Sequence, residues 1–221
     1  MSGIVGSYFN TRGSGVVAKL GTDGQVFTSS GAGVSQAFEA AAGGAGAWEF
    51  VSRAAIGGSD VGSVVFTSLS TSGESHMFVW NGIDSAANST EDFQMQISTD
   101  NGSAYRTSSY LCGTHQWYSN GGSDDYGVTN AFSLSENQSN STVNDGNNGW
   151  LILHNMSSTL KTCVTGQSVT YGDSTNGIRM NSFGGFYTTA EDTDAVRLQF
   201  ESGDITATTV GYISLYKQVI A

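Results

Sequence analysis

Strand-length segments separated by polar turns fill most of this chain and constrain its fold more than any other feature. From residue 48 onward, short runs rich in Val, Ile, Phe, Tyr and Thr alternate with clusters of Gly, Asn, Asp and Ser. Glycine occurs 30 times and proline not at all, so the turns must be built from Gly, Asn, Asp and Ser. No window combines a helical period with capping residues. The predicted strands are residues 48–56, 61–69, 76–80, 93–97, 104–112, 128–134, 150–154, 160–171, 178–187, 195–200 and 212–218. The pattern predicts an all-β fold, an antiparallel and jelly-roll-like β-sandwich.

Two of these segments also predict how their side chains are buried. In residues 93–97 the apolar positions alternate with Gln94 and Gln96, so both glutamines are expected to face solvent. Residues 150–153 are apolar throughout, which is typical of a central strand covered on both faces.

The first 46 residues have a different character and are expected to form a small separate unit. Two short apolar runs, residues 16–20 and 26–27, flank Gly21-Thr-Asp-Gly24, a sequence typical of a hairpin turn. A single hairpin is marginal in water, so this segment needs other copies or a larger particle to pack against. We therefore predict an attachment and oligomerisation stem with its linker at residues 1–46 and a β-sandwich domain at residues 47–221. The residues expected to carry assembly are Val16, Val17, Leu20, Asp23, Gly24, Val26 and Phe27.

Charge and hydropathy exclude several classes of partner. The net charge is −11 and the eight basic residues are scattered, which argues against nucleic acid. No apolar run approaches the roughly 20 residues of a membrane helix, and no signal-peptide pattern opens the chain. We expect no membrane insertion and no cofactor.

Two stretches carry a resemblance to a known class of proteins. Leu20-Gly-Thr-Asp-Gly-Gln-Val-Phe-Thr-Ser-Ser-Gly-Ala-Gly33, closing with Ala37-Phe-Glu39, resembles a phrase common in tail-fibre and related virion proteins of bacteriophages, marine ones especially. Residues 194–205 and 211–216 are similar to the closing strands of the sandwich modules that follow this phrase. The resemblance implies a virion protein in which a stem joins a β-rich module, assembled as a homotrimer.

The expected function is therefore that of a non-enzymatic tail-fibre, spike or knob component located in the virion. Its partners would be further copies of itself and other virion proteins of the tail or capsid, with a host-surface glycan as one further ligand. Two alternatives stay open at this point. One is a capsid decoration or head-fibre protein, and the other is a carbohydrate-binding module.

One predicted loop combines the residue types that bind sugars. Residues 115–126 bring Trp117, Tyr118 and Tyr126 together with Asp124. Aromatic rings stack on the apolar faces of sugars, and carboxylates accept hydrogen bonds from hydroxyl groups. The same rings could instead cap the sandwich or fill a subunit interface.

The remaining motifs favour structural roles. Residues 98–105 match the Asp-box pattern, in which Asp100 would accept backbone N–H groups and Gly102 would supply positive φ in a turn. No serine elbow and no zinc-binding spacing is present, so no catalytic or metal-ligating residue is predicted. The acidic loops at residues 121–125 and 144–149 are expected to be solvated turns, with calcium as the alternative. Cys112 and Cys163 are interpreted as small apolar side chains, with a disulfide left open.

Overall fold

The fold is described here from a computed structural model. It describes residues 48–87, 91–138, 146–171, 177–207 and 211–219, together with the backbone of residues 25–28 and 37–40. The chain divides into two compact units, residues 1–46 and 47–221.

The described part of the first unit is a two-stranded antiparallel sheet. Strand β1 (Gln25–Thr28) pairs with β2 (Ala37–Ala40), and Phe27 lies opposite Phe38. Two of the expected assembly residues, Val26 and Phe27, thus lie in β1. The other five, at positions 16, 17, 20, 23 and 24, and the predicted hairpin turn lie outside the described residues.

The second unit is an antiparallel β-sandwich, which confirms the predicted fold class. Its strands are β3 (Trp48–Ile56), β4 (Val64–Phe66), β5 (His76–Ser85), β6 (Glu91–Ser98), β7 (Tyr110–Tyr118), β8 (Ser123–Val128), β9 (Phe132–Gln138), β10 (Asn147–His154), β11 (Lys161–Tyr171), β12 (Ile178–Ala190), β13 (Ala195–Phe200), β14 (Ile205–Thr206) and β15 (Gly211–Gln218). The large sheet has the order β3-β15-β5-β10-β11-β12-β7-β8, and β14 pairs with the end of β5. The small sheet has the order β4-β13-β6-β9. No helix occurs in the part of the chain that the structure describes.

The topology is that of a widened jelly roll. Strands β3, β15, β5 and β10 oppose β4, β13, β6 and β9, and the chain crosses between the two sheets in the double Greek-key order of that fold. Two hairpins, β7–β8 and β11–β12, are inserted into this eight-strand skeleton and extend only the large sheet. The large sheet is therefore much wider than the small sheet.

The core lies between the two sheets and is rich in aromatic rings. Trp80 of the large sheet packs edge-on against Phe93 of the small sheet, with 5.5 Å between ring centroids. Phe93 also contacts Phe200, at 5.2 Å. The indole N–H of Trp80 donates to Asn147 Oδ1, so the polar atom of this buried ring is satisfied.

Strand β6 differs from its prediction because both of its faces are buried. All eight of its residues are buried, so the expectation that Gln94 and Gln96 face solvent is wrong. Gln96 donates to the carbonyl of Asn130 at 3.1 Å and accepts from the guanidinium of Arg197. A buried glutamine whose amide is paired at both ends is stable in this position.

Strand β10 is less buried than its sequence predicted. It is central in the sheet, as predicted, but Trp150 is 39% exposed because its side chain lies on the face turned away from the small sheet. The prediction that both faces of β10 are covered is therefore wrong for the described structure.

Strand β5 is longer than predicted. It continues past its predicted end at residue 80, through Gly82 (φ 63°), to Ser85.

Candidate functional site on the outer face of the large sheet

The outer face of the large sheet carries an extended apolar surface. The register places the outward side chains of β3, β15, β5, β10 and β11 side by side across the sheet. We call the apolar ones the apolar face; they are Phe50, Met77, Val79, Trp150, Ile152, Val169, Tyr212 and Tyr216. Such a row of large side chains ordinarily packs against another layer.

Two aromatic rings of this face are well exposed to water. Phe50 is 54% exposed and Trp150 is 39% exposed. Since a whole aromatic side chain presents about 150–250 Å², these two rings alone leave roughly 200 Å² of apolar area in contact with water. The largest apolar patch on a typical monomer is about 300–600 Å² and often has a function.

The centre of the apolar face carries no carboxylate or ammonium group. The outward side chains around Val79, Trp150 and Val169 are apolar, amide, hydroxyl or thiol groups, and the ammonium group of Lys161 lies at the far end of β11. A shallow depression lies there between Val79, Trp150, Val169 and Met180. In a chain with a net charge of −11, this charge-free area is where a second copy would meet the least repulsion.

The predicted sugar-binding loop is a β-hairpin and not a loop. Residues 115–118 belong to β7 and residues 123–126 to β8, joined by a tight turn. Sequence reasoning missed this because β8, with two aspartates and a glycine, has low strand propensity and depends on its pairing with β7.

The hairpin separates the four candidate ligand residues between its two faces. Trp117 lies on the outer face, and alternation along the strands places Tyr118, Asp124 and Tyr126 on the opposite one. The Tyr118 hydroxyl donates to Asp124 Oδ2 at 2.8 Å. Burial and the neighbouring Asp92 carboxylate raise the pKa of Tyr126 to about 12, so its phenol stays protonated. The four residues therefore form no single cluster, and the role predicted for them stays a prediction.

On the outer face, the neighbours of Trp117 form a polar row. His115 Nδ1 pairs with Asp125 Oδ1 at 2.5 Å, and the His115 ring packs edge-on against Trp117 with 4.2 Å between centroids. Ser182 of β12 lies directly opposite His115 in the register. Two fixed contacts hold the imidazole in place beside an exposed carboxylate.

Three outward glycines lie side by side next to this polar row. Gly184, Gly113 and Gly127 are register partners on β12, β7 and β8. On their far side, Phe186 and Leu111 are also register partners and are 51% and 64% exposed. We call this arrangement the glycine groove. Its floor is backbone, one wall is Phe186 and Leu111, and the other wall is Ser182, His115 and Asp125.

The Asp-box segment forms the structural turn that its sequence predicted. Asp100 Oδ1 accepts from the N–H of Ala104 at 2.9 Å and from the hydroxyl of Ser98 at 2.7 Å. These hydrogen bonds lower the pKa of Asp100, and the one from the Ala104 N–H has the largest effect. Gly102 has φ of 88°, as the turn requires.

The cysteines and acidic loops offer little chemistry. Cys112 is buried, Cys163 is half-buried, and both are free thiols. Burial raises the pKa of Cys112 to about 11, which makes this thiol unreactive. Within the described ranges, no group of three or more His, Cys, Asp or Glu side chains could hold a metal ion. Part of the predicted acidic loop at residues 144–149 lies outside these ranges.

Comparison with known proteins does not identify a relative. No protein family, no curated protein and no solved structure matches this chain. Among the described residues, no helix has the length and apolar character needed to cross a membrane.

Proposed function

We propose that this chain is a non-enzymatic structural protein of a bacteriophage particle, a tail-fibre, spike or knob component that acts as a homotrimer. The resemblance of residues 20–39 to the stem phrase of such proteins supports the phage assignment. A small N-terminal two-stranded sheet and a separate jelly-roll sandwich are compatible with a stem followed by a β-rich module.

The main support for self-association is the exposure of the apolar face. It presents large side chains to water with no covering layer among the described residues, and its centre carries no carboxylate or ammonium group. Covering these side chains would contribute about 25 cal/mol for each Å² of apolar surface removed from water. A second and a third copy of this chain are the partners proposed to cover it.

Two valines of similar exposure allow a matched test of this interface. Val169 lies on the apolar face and is 40% exposed, whereas Val65 lies on the outer face of the small sheet and is 44% exposed. By light scattering, the wild-type protein should have about three times the chain mass of 23.0 kDa. Val169→Glu should reduce this mass towards one chain because it places a charge in the interface.

Val65→Glu is the control and should keep the wild-type mass. A stable wild-type monomer would contradict self-association. An equal loss of mass in both variants would mean that the apolar face is not the interface.

The rival position on the particle is the capsid, where the chain would be a decoration or head-fibre protein. Quantitative gel analysis of purified virions separates the two, since dozens of copies fit a tail and hundreds fit a capsid. Imaging of the particle with this chain labelled gives the same answer directly.

A further inference from the structure

The central glycine of the groove, Gly113, is not required by the packing of the fold, whereas a Cβ atom at Gly127 would lie 3.2 Å from the carbonyl oxygen of Cys112. A Cβ atom added at Gly113 would meet nothing within 4 Å, and no positive φ requires glycine at this position. Glycine inside a strand is unfavourable relative to alanine, by about 0.5–1 kcal/mol. Where the fold does not require it, such a glycine often marks a place that a ligand or another backbone approaches closely.

The groove also has the shape of a binding site for a chain molecule. Along β12 and β7 its two walls are four residues apart, which puts their Cα atoms about 13 Å apart. The floor crosses β12, β7 and β8 and ends at β8, the edge of the sheet. A surface depression lies over the part of the floor between Leu111, Gly113, Gly127 and Thr129.

The backbone of the floor excludes recognition by strand addition. Strand β7 pairs with both β12 and β8, and β12 pairs with both β11 and β7. Their N–H and C=O groups are therefore used within the sheet, so a peptide strand could add only at the β8 edge. A ligand in the groove must bind through side chains.

The two walls offer complementary chemistry. Phe186 and Leu111 supply an exposed apolar wall, and the opposite wall supplies the Ser182 hydroxyl, the His115 imidazole and the Asp125 carboxylate. The only hydrogen bond of the His115 ring among the described residues is to Asp125, through Nδ1, which leaves Nε2 for a ligand. A molecule with hydroxyl groups on its rim and C–H groups on its faces satisfies both walls.

The negative charge near the groove favours uncharged sugars over anionic ones. Asp125 is exposed beside the groove, and the chain has a net charge of −11. An anionic sugar would be repelled from this position. We propose that the glycine groove is a binding site for an uncharged oligosaccharide, which lies across β12, β7 and β8 between Phe186 and His115. This site is separate from the apolar face and does not depend on self-association.

Filling the groove is the most direct test. The probes are three neutral hexasaccharides, maltohexaose, cellohexaose and laminarihexaose, with 3′-sialyllactose as the anionic probe. By calorimetry on the full chain, at least one neutral probe should bind and the anionic probe should not. Gly113→Val should weaken that binding at least about tenfold, a loss of about 1.4 kcal/mol. The strand should tolerate the change, since the space is empty and valine favours strands.

Two further variants complete the test. Asp125→Asn should weaken the same binding without changing side-chain size. Ser123→Val adds the same side chain on the same outer face, directly opposite Trp117 and outside the groove, and should bind like the wild type.

The outcomes also separate this inference from the proposed assembly. Absence of binding by all three neutral probes, or unchanged binding by Gly113→Val, would show that the groove is not a saccharide site. A fall in oligomer mass on Gly113→Val would mean that a second copy occupies the groove, which also contradicts the inference. The Val169→Glu result on the apolar face is independent of each of these.

Discussion

At the scale of single residues, the phenol of Tyr110 links two backbone segments inside the core. Its oxygen accepts from the N–H of Ile97 at 3.0 Å, and its O–H donates to the carbonyl of Arg106 at 3.1 Å. Burial raises the pKa of this phenol far above its ordinary value, so it remains a donor at neutral pH. The hydroxyl thus ties the end of β6 to the loop that precedes β7.

Removal of this hydroxyl should destabilise the sandwich. Tyr110→Phe leaves the Ile97 N–H without its partner in a buried site, a cost of about 1–3 kcal/mol. Tyr187 packs at a tilt beside Tyr110, with 5.3 Å between ring centroids, and is also buried, but its hydroxyl has no hydrogen bond among the described residues. In urea denaturation, Tyr110→Phe should lower the midpoint and Tyr187→Phe should change it little. Equal midpoints for the two variants would contradict this role of Tyr110.

At the scale of elements, strands could be predicted well where turn residues bound them and poorly where pairing alone defines them. The ends of β3 and β13 follow directly from the glycine, serine and aspartate clusters beside them. Strand β8 could not be found in this way, because its polar sequence becomes a strand only beside β7. Periodicity also fails for β6 and β10. An apolar run does not show whether its second face meets a core or water, and an alternating run does not show whether loops will cover its polar face.

The candidate surfaces on the large sheet were beyond sequence reasoning for a related reason. The glycine groove joins residues from three strands, and only the register brings Gly113 opposite both Gly127 and Gly184. Its one sequence signal was the presence of glycines inside strand-like segments. The apolar face likewise consists of positions on several strands. Which side of these strands faces outward depends on where the small sheet packs.

Glycines on the two faces of the large sheet should respond oppositely to a methyl group. A Cβ at Gly166 would lie 2.4 Å from the carbonyl oxygen of Trp150 and 2.5 Å from the ring of Phe183. Gly166→Ala should therefore destabilise the sandwich by about 1–3 kcal/mol, as overpacking does. Gly113→Ala meets no atom and should stabilise it by about 0.5–1 kcal/mol. Thermal melting of both variants against wild type measures the difference, and a destabilised Gly113→Ala would show that the floor of the groove is needed for the fold.

At the scale of the whole molecule, both compact units are proposed to take part in assembly, the first as a stem and the sandwich through its apolar face. The two-stranded sheet of β1 and β2 is too small to be stable without a partner, whereas the sandwich has a core of its own. All four tryptophans, at positions 48, 80, 117 and 150, lie in the sandwich unit. Tryptophan fluorescence therefore reports the unfolding of residues 47–221 alone.

This distribution of tryptophans allows the predicted assembly role of residues 1–46 to be tested with one substitution. Val26 lies in β1, where an aspartate would bring a charge and a residue of low strand propensity into the proposed assembly segment. Val26→Asp should lower the oligomer mass measured by light scattering and leave the fluorescence-detected urea midpoint near that of the wild type. The control Val65→Asp, on the outer face of the small sheet, should keep the mass. If Val26→Asp instead shifts the urea midpoint and leaves the mass unchanged, residues 1–46 support the fold of the sandwich, and the stem is not an assembly element.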